Sequence, residues 1–276
     1  MGESTAIAWT DHTFNIAWGC FKISPGCKNC YADTFATNRV GLKIWGPPDQ
    51  SERRVFKQAH WNEPLKWQRA AGRASVIRRV FSSSMCDIFE DHPTIIGELP
   101  RLWSLIRQTP NLHWQLLTKR HDRIASSLPD DWGAGYPNVW LGVSVENQEY
   151  ADIRIPALLK VPALIRFISY EPALGQINLS DYLSVNGQVM FGDGPLPALD
   201  WVIYGGESGP GYRKADVQWA RDVRDQCSAT ETAFFHKQSS APRTEMGIEL
   251  DGVVVRQYPT VGERRTVVPM ERRQRA

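Results

Sequence analysis

Short apolar runs alternate with longer amphipathic segments along most of the chain. The apolar runs predict seven strands, at residues 13–18, 76–82, 113–117, 139–143, 164–168, 201–204 and 233–236. The amphipathic segments predict helices at residues 29–38, 93–108, 121–127, 148–159 and 215–229. This alternation is typical of a parallel β/α protein. We therefore predict an α/β fold, a full or partial TIM-like barrel, with an open doubly wound sheet as the alternative.

Three segments do not fit the alternation. Residues 41–54 are rich in Gly and Pro and predict an inserted loop, and residues 178–197 predict a hairpin or lid. The end of the chain has a short strand-like stretch at residues 252–255 and a basic tail at residues 264–275. We predict a barrel over residues 1–238 and a small C-terminal extension over residues 239–276.

Composition limits the functional classes. The net charge of +2 does not by itself indicate a nucleic-acid binder. The sequence contains neither a secretory signal nor a long apolar run, which predicts a cytoplasmic protein with no membrane partner. In that reducing compartment, clustered cysteines are more often metal ligands or redox groups than structural disulfides.

Polar clusters follow every predicted strand. In β/α barrels these strand ends and the loops after them build the active site. A Ser or Glu at such a turn is most often a helix cap, but several residues at these ends are not cap residues. They are Lys119, Arg120, Glu171, His236 and Lys237. Capping alone therefore does not explain the pattern.

The stretch GCFKISPGCKNC places three cysteines at the spacing C-x6-C-x2-C. Thiolates within one loop can bind a single zinc ion or an iron–sulfur cluster. Structural zinc needs a fourth ligand, for which Cys86 and His12 are the candidates. A [4Fe–4S] cluster with three cysteine ligands leaves one iron open for a substrate or cofactor. Both alternatives remain open on the spacing alone.

Ordered blocks throughout the chain resemble the phage-associated three-cysteine-motif proteins, a family grouped with the radical S-adenosylmethionine (radical-SAM) enzymes. The blocks are WTDHTFNIAWGC, SPGCKNCYA, SSSMCDIFED, LLTKR, WLGVSVEN, RFISYEPALG, WVIYGGESGPGYR and FFHKQ. The resemblance implies a barrel of the radical-SAM type and a [4Fe–4S] cluster on Cys20, Cys27 and Cys30. It also implies that S-adenosylmethionine (AdoMet) binds the open iron and is cleaved to a 5′-deoxyadenosyl radical.

The chain departs from the usual radical-SAM pattern in two places. The first gap between cysteines is six residues instead of three, and the GGE segment follows the sixth predicted strand instead of the second. The resemblance nevertheless suggests positions for AdoMet. The hydroxyls of Ser82, Ser83 and Ser84 are candidates to accept a hydrogen bond from its amino group.

The other candidate AdoMet ligands follow later strands. Ser144, Glu146 and Asn147 are candidates for the ribose, and Lys119, Arg120 or Arg213 for the carboxylate. Residues at the late strand ends are predicted to face the substrate: Glu171, Glu207, Arg213, His236 and Lys237. Arg213 and Lys237 can neutralise a phosphate, and Glu207 can accept a hydrogen bond from the substrate. The alternative is that Glu207 pairs with Arg213 or Lys237 in an internal salt bridge.

The phage context implied by the resemblance favours a nucleic acid or nucleotide as substrate, in a modification or repair step. Cations at the late strand ends would bind its phosphates. The resemblance also implies an electron donor such as flavodoxin or ferredoxin, and a possible partner protein encoded nearby. The alternative function is a non-catalytic nucleic-acid-binding module stabilised by zinc or by a cluster.

Overall fold

The computed structural model describes residues 5–191 and 194–261 of the protein. The chain divides into two compact units. The first unit contains the residues up to 141 together with residues 161–164, and the second contains residues 142–160 and the chain from residue 165 onward.

The first unit carries the elements that precede the middle of the chain. They are β1 (His12–Phe14), β2 (Ala17–Trp18), α1 (Tyr31–Arg39), β3 (Arg54–Val55), α2 (Gln58–Trp61), α3 (Glu63–Ala74), β4 (Arg78–Ser82), α4 (Pro93–Arg107), β5 (Leu112–Thr118), α5 (Ile124–Ser127) and the start of β6 (Val139–Val145). Its core includes Phe14, whose ring packs edge-on against Trp61 and Trp114.

The second unit contains the rest of β6 and the elements that follow it. They are α6 (Gln148–Leu159), β7 (Ile165–Tyr170), β8 (Gln188–Phe191), β9 (Gly194–Pro197), β10 (Trp201–Gly205), α7 (Val217–Ala229), β11 (Ala233–Gln238), β12 (Glu249–Leu250) and β13 (Val253–Val254). Aromatic rings fill its core, where Trp201 contacts Phe167, Phe235 and Tyr258.

Seven strands form a parallel sheet in the order β1, β4, β5, β6, β7, β10, β11. The order follows the chain without the reversal that defines a doubly wound sheet, so the alternative prediction is wrong. The α/β prediction is confirmed, whereas a full TIM barrel is not shown by the described strands. All seven predicted strands correspond to strands of this sheet, although the first is shorter than predicted.

The prediction of one continuous strand over residues 13–18 is wrong. The buried Asn15 side chain leaves the strand pattern, because its Oδ1 accepts a hydrogen bond from the Met85 amide at 2.7 Å. The chain then turns, and Ala17 pairs in antiparallel fashion with Val55 of β3 instead of continuing along β4. The side chain of one buried amide residue thus ends β1 after Phe14.

Helix α3 is absent from the sequence prediction, although its signals are present. Pro64 lies in its first turn, and Trp67 and Ala71, one turn apart, are buried. Ser75 ends the helix with a left-handed backbone at φ 52°. An N-terminal proline followed by apolar residues at helical spacing is a helix-start signal.

The C-terminal part of the second unit pairs with β11. The Gln257 amide donates to Phe234 O at 3.0 Å, and the His236 amide donates to Val255 O at 2.8 Å. These bonds use backbone groups that an edge strand otherwise exposes. The predicted hairpin is confirmed by the antiparallel pair β8 and β9. The domain boundary at residue 238 stays a prediction, and the basic tail at residues 264–275 lies outside the described residues.

None of the helices within the described ranges has the length and apolar character needed to cross a bilayer. The cytoplasmic location stays a prediction.

Candidate cofactor site

The three clustered cysteines lie in the first unit as free, partly buried thiols. Cys20 follows β2, Cys27 ends a 3-10 turn, and Cys30 directly precedes α1. The loop is held to the protein by backbone contacts near Cys20, whose carbonyl accepts from the Gly46 amide at 3.2 Å. The Gly19 amide donates to Met85 O at 3.0 Å. The loop therefore has a fixed attachment to the segment after β4.

Gly19 is required at its position. Its backbone is left-handed, with φ at +113°, and a Cβ there would lie 2.6 Å from Ile44 O. A glycine has no Cβ and so permits this close approach of two backbones. The residue immediately before Cys20 thus fixes the course of the chain into the cysteine loop.

A buried network of four charges lies beside Cys20. Glu90 accepts two hydrogen bonds from Arg53, Nε to Oε2 at 2.8 Å and Nη2 to Oε1 at 2.9 Å. Arg120 donates to Asp87 Oδ2 at 2.9 Å and to Glu90 Oε1 at 3.2 Å. Each of the four side chains is at most 9% exposed. The two positive guanidinium groups neutralise the two negative carboxylates, so each buried charge has a partner of opposite sign.

The network holds the chain at the first cysteine. Glu90 Oε1 accepts from the Phe21 amide at 2.8 Å, and Arg120 Nη2 donates to Phe21 O at 2.8 Å. Arg120 Nη1 also lies 3.6 Å from Cys20 Sγ. A positive group at this distance favours the thiolate form over the thiol. The peptide after Cys20 is therefore fixed on both sides by charged groups.

Arg53 extends the network to the predicted inserted loop. Its guanidinium donates to Ser51 Oγ at 2.8 Å and to the carbonyls of Gly46 and Ile44 at 3.0 and 3.3 Å. A long Gly- and Pro-rich segment is thereby ordered around one buried cation. The segment is part of the candidate site, which the sequence pattern did not indicate.

Burial and charge act in opposite directions on the thiols. Burial raises the pKa of Cys20 and Cys30, and the cations Arg120 and Lys119, respectively, partly offset this effect. Burial also raises the pKa of Cys86 to about 12. Thiols that are protonated when metal-free must lose their protons to bind metal, so metal binding releases protons.

The predicted serines lie at the end of β4. Ser82 and Ser83 are buried, and their hydroxyl oxygens lie 3.0 Å apart. Ser84 Oγ accepts from Asn15 Nδ2 at 3.2 Å, and its carbonyl accepts from the Tyr31 hydroxyl at 2.9 Å. These contacts connect the serine segment to the residue after β1 and to α1. The role of the serines in binding AdoMet stays a prediction.

The donor set fits an iron–sulfur cluster on chemical grounds. Three free thiols lie on one loop, and the guanidinium of Arg120 beside Cys20 can offset the negative charge of bound thiolates. Residues 5–191 and 194–261 contain no group of three His, Cys, Asp or Glu side chains arranged to hold one metal ion. Each thiolate of a cluster binds a different iron, so cluster ligands lie farther apart than ligands of one ion. His12, one candidate for a fourth zinc ligand, stacks on Trp67 with ring centroids 4.4 Å apart.

In the second unit, the residues at the end of β6 and directly after it make contacts with α6. Glu146 is buried and accepts from Arg154 Nη1 at 3.0 Å, and the same nitrogen donates to Ser144 O at 2.8 Å. Asn147 caps α6, since its Oδ1 accepts from the Tyr150 amide at 3.2 Å. Asn147 is therefore a helix cap, which is the usual role of a polar residue at such a turn. The predicted ribose contacts of the three residues stay untested.

The late strand ends of the second unit form two ion pairs. Lys237 Nζ bonds Glu171, and Arg213 bonds Glu207 through its side chain and through its own amide, the latter at 2.8 Å. His236 is buried, and burial lowers its pKa. Its ring stacks on Tyr204 with centroids 5.4 Å apart. The internal ion pair considered for Glu207 is thus present, and the substrate roles remain predictions.

Sequence reasoning missed the residues that organise the site. Asp87 and Glu90 are within the quoted block SSSMCDIFED, but no role was predicted for them, and neither Arg53 nor Arg154 was considered. Charged residues that are buried are almost always paired with an opposite charge, as Arg53 is with Glu90 and Arg154 is with Glu146. Burial is a property of the fold, so this signal is not visible in the sequence.

A family model described as a protein of unknown function, DUF5131, matches residues 4–259. The chain belongs to this family. Its description mentions no phage, so the phage association remains a prediction. A search of curated proteins gave no match to this DUF5131 chain.

Several solved structures of spore photoproduct lyase are similar to the DUF5131 chain. A tyrosine-to-phenylalanine mutant matches with a TM-score of 0.50 and 14% identity, over 87% of this chain and 78% of that one. A cysteine-to-serine mutant matches with a TM-score of 0.45 and 14% identity, over 86% of this chain and 77% of that one. A double mutant with bound AdoMet and dinucleoside spore photoproduct matches with a TM-score of 0.43 and 15% identity. This match covers 79% of this chain and 61% of that one. At these identities the likeness shows the fold alone.

The buried network predicts that removing the charge of Glu90 strongly destabilises the protein. Replacing Glu90 with Gln removes the counter-charge of Arg53, and we expect the free energy of unfolding to fall by about 3–5 kcal/mol. Urea unfolding followed by circular dichroism measures the change. The control is Glu63→Gln, which breaks the exposed pair with Lys66 and should cost at most about 1 kcal/mol. Equal effects of the two variants would contradict the account.

Proposed function

We propose that this DUF5131 protein is a radical-SAM enzyme that binds a [4Fe–4S] cluster through Cys20, Cys27 and Cys30. The observation that carries the proposal is the loop of three free thiols, fixed at Cys20 by the paired charges of Arg120 and Glu90. The shared fold with spore photoproduct lyase, a radical-SAM enzyme, supports it at a coarser level.

The cofactors supply the reactive chemistry, and the protein supplies their binding and orientation. With one electron from a reductant, a bound cluster and AdoMet would supply one-electron cleavage of AdoMet and hydrogen-atom abstraction from the substrate. In the proposal the three cysteines hold three of the four irons, so one iron remains for AdoMet. The serines after β4 are proposed to accept from its amino group.

The contacts in the first unit indicate different roles for Lys119 and Arg120, the two cations after β5. Arg120 has its guanidinium bonded to Asp87, Glu90 and Phe21 O, and it lies beside Cys20 Sγ. Lys119 is partly exposed, and its charge offsets part of the rise that burial causes in the pKa of Cys30. We therefore assign Lys119 as the partner of the AdoMet carboxylate and Arg120 as a positioning residue of the cysteine loop.

The substrate in this proposal is a nucleic acid or nucleotide that undergoes modification or repair. Lys237 and Arg213 are its candidate phosphate ligands, and Glu171 and Glu207 accept from its donor groups. Their present ion pairs keep the cations in place, and a phosphate can exchange for the carboxylate because both are anionic oxygen acceptors. The hydrogen-bonding donors of Arg213 suit bidentate phosphate binding.

The cysteine assignment predicts a selective loss of iron. After anaerobic reconstitution, wild-type protein should contain about four irons and about four sulfides per chain. Single replacement of Cys20, Cys27 or Cys30 with Ala should abolish this content. Cys227→Ala is the matched control, because Cys227 is fully buried in α7, and Cys86→Ala should also retain the cluster. Unchanged iron in Cys27→Ala, or zinc released by Cys86→Ala, would contradict the assignment.

The proposed reaction class predicts defined products from AdoMet. The reduced, cluster-loaded protein should cleave AdoMet slowly without substrate, because the open iron binds it directly. Chromatography should detect 5′-deoxyadenosine and methionine in equal amounts, and Cys27→Ala should give neither. S-adenosylhomocysteine as the product would indicate methyl transfer, and the absence of any cleavage would contradict the proposal.

The substrate proposal predicts a change in oligonucleotide binding. Lys237→Ala and Arg213→Ala should weaken binding about tenfold and reduce its salt dependence, because each removes a phosphate contact. Fluorescence anisotropy at several salt concentrations measures both effects. Arg221→Ala is the control, since Arg221 also pairs with a carboxylate, Asp251, on the surface of the second unit.

A loss of stability without a loss of oligonucleotide binding would identify Lys237 and Arg213 as structural ion-pair partners. In that case the two variants lower the melting temperature and bind oligonucleotides as wild type does. Wild-type protein that binds no oligonucleotide at low salt would remove nucleic acid from the proposal.

A further inference from the structure

The sulfur of Cys20 accepts a hydrogen bond from a buried cation. Arg120 Nη1 donates to Cys20 Sγ at 3.6 Å, a long distance that suits the large sulfur atom. At Cys27 the contact is of a different kind, because its Sγ lies 3.6 Å from the neutral hydroxyl of Ser24. The structure thus places a full positive charge at one candidate ligand and a neutral polar group at another.

The other bonds of Arg120 hold its guanidinium in this position. Nη1 also donates to Asp87 Oδ2 at 2.9 Å. Nη2 donates to Phe21 O at 2.8 Å and to Glu90 Oε1 at 3.2 Å. A guanidinium carries its donors in a rigid, planar fork. The nitrogen that faces Cys20 Sγ therefore cannot turn away without breaking bonds to buried carboxylates.

The buried network is neutral as a whole, but its charges are unevenly placed around the cysteine. Within the network, the bond to a cysteine sulfur is made by Arg120, whereas Arg53 bonds Glu90 and the inserted loop. Coulomb energies fall with distance, so the nearest charge has the largest effect. Cys20 Sγ is therefore acted on mainly by the positive charge of Arg120.

The surroundings keep this charge constant and strong. The side chain of Arg120 is 9% exposed, and charges in such positions are screened much less than charges on the surface. A guanidinium also stays protonated at any pH at which the protein is folded. The positive charge at Cys20 Sγ is thus permanent and weakly screened.

We infer that Arg120 raises the reduction potential of the cluster through its hydrogen bond to Cys20 Sγ. This inference rests on the proposed function, in which a reductant gives one electron to a bound cluster. That electron adds one negative charge beside the thiolates, and a cation there stabilises the reduced form more than the oxidised form. Hydrogen bonds to the sulfurs are among the factors that set the potentials of iron–sulfur clusters. Arg120 is then a positioning residue that also controls how readily the site is reduced.

The test measures the reduction potential of reconstituted variants of the full chain. Each protein is titrated anaerobically with dithionite in the presence of redox mediators, and the electron paramagnetic resonance signal of the reduced cluster is followed. Arg120→Gln removes the cation. Arg123→Gln is the matched control, because it removes a nearby cation whose partner is the exposed carboxylate of Asp91, at 3.0 Å.

Two further variants keep the test decisive if Arg120→Gln does not fold. Arg120→Lys keeps the charge and loses the guanidinium fork. Arg120→Gln combined with Asp87→Asn removes one cation and one anion together, so the pair of Arg53 and Glu90 remains balanced. Iron content and melting temperature are measured for every variant, because a purely structural role of Arg120 would change these and leave the potential unchanged.

We expect Arg120→Gln to lower the equilibrium constant of one-electron reduction at least tenfold, which is a shift of about 59 mV to more negative potential. The double variant should shift the potential in the same direction by less, because the loss of the Asp87 carboxylate offsets part of the change. Arg120→Lys should stay closer to wild type than Arg120→Gln. Arg123→Gln should have the wild-type potential.

Three results would overturn the inference. The first is an unchanged potential in Arg120→Gln or in the double variant at normal iron content. The second is an equal shift in Arg123→Gln. The third is loss of the cluster in all three Arg120 variants, which would limit Arg120 to holding the cysteine loop. Failure of the proposed function looks different, because wild-type protein and Arg123→Gln then bind no cluster either.

Discussion

The paired burial of Arg120 and Arg53 with Asp87 and Glu90 is the interaction on which the candidate site depends. A buried charge without a partner is strongly destabilising, so these four groups must meet wherever the chain places them. They come from the segment after β4, the end of β5 and the inserted loop before β3. Their meeting fixes three separate segments of the first unit at the point where the cysteine loop begins.

The same network gives the cysteine loop its electrostatic character. Burial favours the neutral thiol at Cys20, and the guanidinium of Arg120 opposes that effect. The protein therefore keeps a preorganised cation where bound thiolates would place negative charge. Because Arg120 is itself held by Asp87 and Glu90, this cation does not have to be ordered when a metal group binds. Such preorganisation is a general property of functional sites built on rigid elements.

Apolar runs made the sheet predictable, because parallel strands buried on both faces read as continuous hydrophobic segments. The strand over residues 13–18 was mispredicted because Asn15 bonds to Met85 across the fold, a contact with no local signal. The spacing of the three cysteines marked them as candidate ligands of zinc or of a cluster, and the resemblance implied the cluster. The pairing of Glu207 with Arg213 was foreseeable because the residues are six positions apart, whereas Arg53 and Glu90 are 37 positions apart. Contacts over that distance depend on the tertiary structure.

The central claim is that three cysteines hold a [4Fe–4S] cluster whose fourth iron binds AdoMet. Electron paramagnetic resonance of the reduced, reconstituted protein, recorded with and without AdoMet, tests it most directly, because the signal depends on the ligands of each iron. The account predicts a cluster signal whose shape and g-values change when AdoMet is added. A cluster signal that AdoMet leaves unchanged, or a reconstituted protein without any cluster signal, would contradict it.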